Sequence, residues 1–141
     1  MMQTKKETLS LFMEQIWNSG EFGAIEQLVA PAYTVIEDRG DPWEGQTLEH
    51  DAFTQRVLYS RNAFPDLRFD IEHMVEEEAR VAAKWTMSGT HLGDLPQLPA
   101  TGNSFSIAGM TIYHFDGGRV SGHIQVFDQL AFLMQIGAFG L

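Results

Sequence analysis

Cysteine is missing from this 141-residue chain, and its absence limits the chemistry that the protein can carry out. Without cysteine there is no disulfide framework, no thiolate nucleophile and no cysteine-ligated metal site. The five histidines are scattered, and no His-x-His pair offers two ligands to a metal ion. We therefore expect no metal, and any catalysis must rely on carboxylate, imidazole or hydroxyl groups.

Basic residues are also scarce, nine against 19 acidic ones, which gives a formal charge of -10. Such a charge repels nucleic acids and anionic membrane surfaces, so we expect neither as a partner. No run of about 18 apolar residues predicts a membrane helix, and residues 1–6 lack the apolar stretch of a signal peptide. The sequence has no Gly-rich phosphate loop after a strand and no Gly-x-Ser-x-Gly elbow. A cytoplasmic protein is the resulting expectation.

Helices are predicted mainly in the first half of the chain. Thr4 and Glu7 have the spacing of a capping box, and apolar residues then recur at helical intervals up to Asn18. A short helix is predicted over 22–29 and a third helix over 48–62. These three helices precede most of the predicted strands.

Strands dominate the second half of the chain, where apolar and polar residues alternate. Gly117 and Gly118 accept the positive φ of a tight hairpin turn, and Asp128 then stands where the N-cap of a last helix would be. Helices followed by an antiparallel meander predict an α+β fold with one domain over residues 1–141. The predicted strands cover 33–37, 67–75, 81–90, 104–115 and 119–127.

The last predicted strand has two different faces, and neither resembles a solvated surface. The first face carries Ser121, His123, Gln125 and Phe127, and the second carries Val120, Gly122, Ile124 and Val126. We expect the first face to line a pocket between a curved antiparallel sheet and the N-terminal helices. The second face would leave apolar surface exposed on a monomer, so we predict a homodimer or a higher homo-oligomer.

Several short segments occur in a defined order along the chain. They are Ala63-Phe64-Pro65-Asp66, Gly89-Thr90-His91-Leu92-Gly93-Asp94, Pro99-Ala100-Thr101-Gly102, the Gly117-Gly118 hairpin, and Phe127-Asp128-Gln129-Leu130 leading to Gln135-Ile136-Gly137. Together they resemble the SnoaL-like polyketide cyclase (ester cyclase) family over essentially the whole chain. The resemblance implies the cone-shaped fold of the NTF2-like superfamily. It also implies ring closure by intramolecular aldol condensation of a polyketide ester, with neither a metal nor an organic cofactor.

The resemblance further assigns roles to positions on the last predicted strand. Characterised cyclases of the family use an Asp there as general acid/base, and Gln125 occupies that position in this chain. A glutamine amide exchanges hydrogen bonds but does not titrate near neutral pH. His123 matches a pocket histidine of the family, so it is the candidate proton-transfer residue, with Gln125 as an orienting donor. Val35 and Thr111 lie where characterised cyclases carry Asn and His.

Other residues are candidates for contact with a bound ligand. His91 belongs to the Gly-Thr-His motif, Trp43 lies in a loop rich in Gly and Pro, and His73 falls on the apolar face of the strand over 67–75. Asp128, three residues after Gln125, is either a helix cap or a replacement acid. The predicted substrate-binding set is His91, Trp43, His73, Phe127 and Thr111.

Two functions stay open from the sequence. The first is a cofactor-independent cyclase, isomerase or related lyase that acts on a mostly apolar carbonyl compound. The second is a noncatalytic small-molecule binding or accessory protein on the same scaffold, because Gln125 stands at the position of the family acid. A module for oligomeric interaction alone is less favoured, since the polar pair His123 and Gln125 would then have no purpose.

Overall fold

The computed structural model describes residues 3–138, and the chain begins there with a long helical stretch. Helix α1 (Lys5–Leu11) starts at the predicted capping box, in which Thr4 and Glu7 exchange hydrogen bonds. The stretch continues as a π-helical segment (Phe12–Asn18). The predicted helix is confirmed, but the apolar periodicity carried no signal for the wider winding of its second half.

The remaining elements follow the predicted order with shifted bounds. Strand β1 (Val29–Asp38) begins earlier than predicted and includes Pro31, because pairing with the neighbouring strand is interrupted there and no backbone N–H is required. After a 3-10 turn (Phe22–Ala24), the elements are α2 (Ile25–Leu28), β1 (Val29–Asp38), β2 (Thr47–Leu48), α3 (His50–Ala63), β3 (Arg68–Glu77), β4 (Arg80–Thr90), β5 (Ser104–Asp116), β6 (Arg119–Phe127) and α4 (Gln129–Ile136).

The six strands form one curved sheet in the order β2-β1-β6-β5-β4-β3. The sheet is mixed, which corrects the expectation of a wholly antiparallel one, because β1 runs parallel to β6. This pairing sets Val35 beside His123 and Asp38 beside Gln125. The C-terminal end of β1 therefore lies next to the strand that carries the predicted site residues.

Two bulges change which side chains face the core. In β3 the register shifts between Ile71 and His73, so Met74 packs against the core while His73 is exposed. In β6, Phe115 pairs with Val120 whereas His114 pairs with Gly122, and Val120 is fully buried. The predictions that His73 points inward and that Val120 shares the outer face were therefore wrong, because strict alternation ends at a bulge.

The helices cover the concave face of the sheet and leave a cavity beneath them. The apolar residues of the first helical stretch are buried against β3 and β4 together with Phe53 and Val57 of α3. At the C-terminal end, α4 packs on β5 and closes with Gly137 at a φ of 83°. The architecture is the α+β cone that the sequence predicted. Within residues 3–138, no helix is both long and apolar enough to span a membrane.

Candidate active site

The cavity between the helices and the sheet measures about 370 Å³. Its lining is mainly apolar, with one connected group of polar side chains in its wall. A mostly apolar cavity with a few convergent polar groups is the usual form of a small-molecule site. The apolar wall includes Trp17, Phe69, Trp85, Phe127 and Phe132, and the polar group includes Tyr33, Asp38, Arg56, His123 and Gln125.

His123 lies at the centre of the polar group and is 2% exposed. Its Nε2 lies 2.8 Å from Oδ2 of Asp38, and its Nδ1 lies 2.5 Å from the hydroxyl of Tyr33. Because a carboxylate only accepts, Nε2 carries the proton that His123 donates to Asp38. Nδ1 is then the acceptor for the Tyr33 hydroxyl. Burial lowers the pKa of His123 although the hydrogen bond to Asp38 opposes this, so the ring is neutral near pH 7.

Asp38, the last residue of β1, is a carboxylate that is only 3% exposed. Besides His123, its Oδ2 accepts hydrogen bonds from Nη2 of Arg56 at 3.1 Å and from Nε2 of Gln125 at 3.4 Å. Three donors thus converge on one oxygen of the carboxylate. This compensates the cost of removing a charged group from water.

Arg56 links the strand end to the loop that follows it. Its guanidinium lies 2.9 Å from Oδ2 of Asp41 as well as 3.1 Å from Asp38, and it stacks over Trp17 at 5.4 Å from the ring centroid. Burial alone would lower the pKa of Arg56, but the two carboxylates and the hydrogen bond to Asp41 raise it, so the group stays charged. Two carboxylates against one guanidinium leave this buried cluster with one negative charge.

The amide of Gln125 is oriented by a chain of hydrogen bonds across the sheet. The indole N–H of Trp85 donates to the hydroxyl of Thr111 at 2.8 Å, and that hydroxyl donates to Oε1 of Gln125 at 2.8 Å. The amide nitrogen of Gln125 therefore faces Asp38. The indole fits because residue 109 is glycine, since a Cβ there would collide with the Trp85 ring.

The two buried tyrosines of the cavity, Tyr33 and Tyr113, carry neutral hydroxyl groups. Burial raises the pKa of Tyr113 to about 12 and raises that of Tyr33 well above its usual value. The Tyr113 hydroxyl donates weakly to Sδ of Met13 at 3.5 Å. Near neutral pH both tyrosines are therefore hydrogen-bond donors and not bases.

The structure brings together some of the predicted site residues and separates others. His123, Gln125 and Phe127 line the cavity, and Thr111 supports Gln125 from behind. Three predicted ligand contacts lie elsewhere. His91 is fully buried with its Nδ1 bonded to Thr101, Trp43 packs edge-on against Tyr59, and His73 is exposed beside its bulge.

Arg56, Asp41 and Tyr33 are functional candidates that sequence reasoning missed, and Asp38 is one that it left undecided. From the sequence, Asp38 at the end of a strand either reaches a pocket mouth or is a solvated acid, and the parallel pairing of β1 with β6 buries it. Arg56 does leave a signal in the sequence. It stands three residues after Phe53 on the inward face of α3, where a charged residue needs a buried partner.

The comparisons with known proteins agree with this fold. The family model named SnoaL-like polyketide cyclase matches residues 7–136 of the chain. The protein belongs to the SnoaL-like polyketide cyclase family. A search of curated protein sequences gave no match.

Solved structures of SnoaL-like cyclases superpose on nearly the whole chain. A candidate polyketide cyclase from Acidithiobacillus ferrooxidans is 38% identical, with 99% of both chains covered and a TM-score of 0.88. IdmH from Streptomyces antibioticus, also described as a candidate polyketide cyclase, is 22% identical, with coverage of 96% of this chain and 99% of that one and a TM-score of 0.79. A SnoaL-like polyketide cyclase from Agrobacterium tumefaciens is 20% identical, with 96% and 100% covered and a TM-score of 0.77.

Proposed function

We propose that the protein is a cofactor-independent cyclase or isomerase that acts on an apolar carbonyl compound by acid/base chemistry. The observation that carries this proposal is the buried contact of 2.8 Å between His123 and Asp38 in the wall of an apolar cavity. Removing a proton from a carbon next to a carbonyl needs a base, and the resulting enolate needs hydrogen-bond donors. The mainly apolar wall of the cavity, which measures about 370 Å³, strengthens both interactions.

The proposed site divides the work among a few side chains. His123 and Asp38 form the proton-transfer pair, and Gln125 is the orienting donor that fixes Asp38. Thr111 fixes the amide of Gln125, and Phe127 contributes apolar surface for the substrate. Trp43, His73 and His91 are outside this proposed site because they do not line the cavity.

A noncatalytic binding or accessory protein is the competing proposal. It is favoured by the amide of Gln125, which stands where the family's acid is expected and whose oxygen is already bonded to Thr111. In that case the polar group would only orient a bound ligand, and no proton would leave it.

Exchange of hydrogen for deuterium on α-tetralone, a bicyclic apolar ketone, separates the two proposals. We expect the protein to accelerate deuterium incorporation next to the carbonyl in D2O, measured by NMR, because enolisation is the first step of aldol closure or isomerisation. His123→Gln keeps an amide N–H for Asp38 but does not titrate, so the exchange rate should fall at least about tenfold.

Gln125→Asp is the matched variant for the missing family acid. If the wild type binds α-tetralone without exchange and this variant gains exchange, the natural chain is a binding protein and the catalytic proposal is wrong. Wild-type exchange that is unchanged in His123→Gln would remove His123 from the proton-transfer pair.

We also propose that the protein is a homodimer formed through the outer face of its sheet. Apolar side chains there are paired across neighbouring strands, Val75 with Ala82, Ala82 with Ile112, and Met110 with Val126. These residues, together with Ile124, define the outer-face patch. Val126 is 70% exposed and Met110 53% exposed, and a second copy that covers the patch would remove this surface from water. The cytoplasmic location expected from the sequence stays a prediction.

A further inference from the structure

The polar cluster of the cavity leaves two of its charged groups incompletely bonded. All three donors to Asp38 use Oδ2, and Oδ1 has no hydrogen-bond partner among residues 3–138. Arg56 uses Nε and Nη2 for its carboxylates, and its Nη1 likewise has no partner in the described part of the chain. Both atoms are partly accessible and not fully enclosed by protein. Both residues also line the cavity.

We propose that Asp38 takes the substrate proton through Oδ1 and that Nη1 of Arg56 donates to the enolate oxygen. This inference rests on the proposed function and names the two atoms that touch the substrate. Asp38 and Arg56 are then catalytic residues. His123 becomes a positioning residue, because its two ring nitrogens are already bonded to Asp38 and Tyr33.

The proposed step conserves atoms and electrons. Oδ1 of Asp38 accepts the proton from the carbon next to the carbonyl, and the C–H electron pair forms the C=C bond of the enolate. The carbonyl π pair moves to oxygen, where the N–H of Arg56 stabilises the charge. In cyclisation the enolate carbon then attacks a second carbonyl of the same molecule, and the new alkoxide takes the proton from Asp38. In isomerisation the proton returns to another carbon.

Other polar groups of the cavity are less suited to receive the proton. Nδ1 of His123 accepts the Tyr33 hydroxyl at 2.5 Å, so a substrate would have to displace that bond. The amide of Gln125 does not titrate near neutral pH, and Tyr113 is protonated. Asp38 has a free oxygen and three donors that hold the other oxygen in place.

The charge of the cluster also indicates the class of substrate. Asp38 and Asp41 exceed the charge of Arg56 by one negative unit, and His123 adds none while it is neutral. An anionic carboxylate in the cavity would be repelled by this cluster, whereas a neutral ketone or ester is tolerated until its enolate forms. At this cluster a neutral carbonyl compound, such as an ester, is therefore favoured over a free acid, although Arg39, which also lines the cavity, balances the charge of the lining as a whole.

Two readouts on the same variants test the proposal. Exchange on α-tetralone reports proton removal, and fluorescence of bound 2-naphthol, a planar apolar alcohol that ionises, reports the charge next to the ligand hydroxyl. The variants are Asp38→Asn and Arg56→Lys. The matched control is Asp51→Asn, which removes an exposed carboxylate from the helix that carries Arg56 and does not line the cavity.

We expect Asp38→Asn to bind 2-naphthol but to lose at least about 100-fold in exchange rate, the usual contribution of a general base. Bound 2-naphthol should ionise at least about tenfold more readily in this variant, because the carboxylate that repels the naphtholate is gone. Arg56→Lys keeps a positive charge without the second N–H arm, so exchange should fall at least about tenfold and naphtholate should bind more weakly. Asp51→Asn should leave both the exchange rate and the ionisation of bound 2-naphthol at the wild-type level.

Two results would overturn the proposal. One is exchange by Asp38→Asn at the wild-type rate, and the other is equal ionisation of bound 2-naphthol in the wild type and in Asp38→Asn. If the wild type catalyses no exchange at all, the proposed function is wrong. The naphthol measurement then decides separately whether Asp38 and Arg56 face the ligand.

Discussion

At the scale of single residues, the charge of His123 depends on its surroundings. The ring is 2% exposed and bonded at both nitrogens, so adding a proton at Nδ1 requires the Tyr33 hydroxyl to turn from donor to acceptor. Burial is the largest effect on it and lowers the pKa, while the hydrogen bond to Asp38 acts in the opposite direction. The folded protein therefore holds this imidazole neutral over a wider pH range than the unfolded chain does.

The free energy of unfolding should depend on pH through His123. Below about pH 6.5 the unfolded chain takes up a proton at this residue while the folded protein does not, so stability falls as the pH decreases, until the lowered folded pKa is reached. Above that pH the contribution is complete. The extra slope is at most about 1.4 kcal/mol per pH unit.

Urea unfolding of the wild type and of His123→Gln between about pH 7.5 and 5 measures this difference. The other four histidines are common to both proteins, so their titration cancels in the comparison. We expect the wild type to lose stability more steeply than the variant as the pH falls. Parallel profiles would contradict a lowered folded pKa for His123.

At the scale of elements, helix α4 explains Asp128 without catalysis. The carboxylate of Asp128 accepts a hydrogen bond from the backbone N–H of Ala131 at 3.0 Å, so it is the N-cap that its position predicts. Asp128 is exposed and does not line the cavity, whereas Phe132 and Leu133 of the same helix do. The cap therefore helps to hold one wall of the site.

Replacing Asp128 by Ala should reduce the free energy of unfolding by about 0.5 to 2 kcal/mol, the usual effect of a lost N-cap. Asp116→Ala is the control, because Asp116 is exposed in the hairpin and makes no side-chain hydrogen bond with another described residue. Denaturant unfolding gives both values, and exchange on α-tetralone shows whether activity survives. A loss of exchange without a loss of stability would make Asp128 the replacement acid.

At the scale of the whole molecule, the sheet separates two apolar surfaces. The concave side forms the cavity and is covered by helices. The outer-face patch is not covered by any part of residues 3–138. Val75 is 67% exposed and Ile112 is 40% exposed, and polar Lys84 pairs with Met110 at the edge of the patch. An apolar centre with a polar rim is typical of a surface between copies of one chain.

Val126→Glu should dissociate the homodimer, because it places a charge with no described partner in the outer-face patch. We expect the dissociation constant, measured by sedimentation equilibrium, to rise at least about 100-fold. Leu92→Glu is the matched control, since Leu92 is 59% exposed in the loop between β4 and β5 and lies outside the patch. A wild type that sediments as a monomer would refute the dimer, and equal effects of both variants would place its interface elsewhere.

Much of the fold was accessible from the sequence because its signals are local. The capping box at Thr4, the hairpin at Gly117 and Gly118, and the C-cap at Gly137 each depend on neighbours a few residues away. Apolar periodicity likewise predicted the long helices and strands, although it located only residues 33–37 of β1. Bulges interrupt that periodicity without a clear sequence signal, and this is why His73 was placed on the wrong face.

The polar cluster, by contrast, depends on contacts between distant parts of the chain. His123 and Gln125 were found from the sequence because they share one face of one strand. Asp38 and Arg56 join them only because β1 pairs in parallel with β6 and because α3 crosses the same face of the sheet. The sequence by itself thus determined the elements and half of the candidate site. Tertiary structure decided the other half, since burial and pairing of a charge are properties of the assembled sheet and helices.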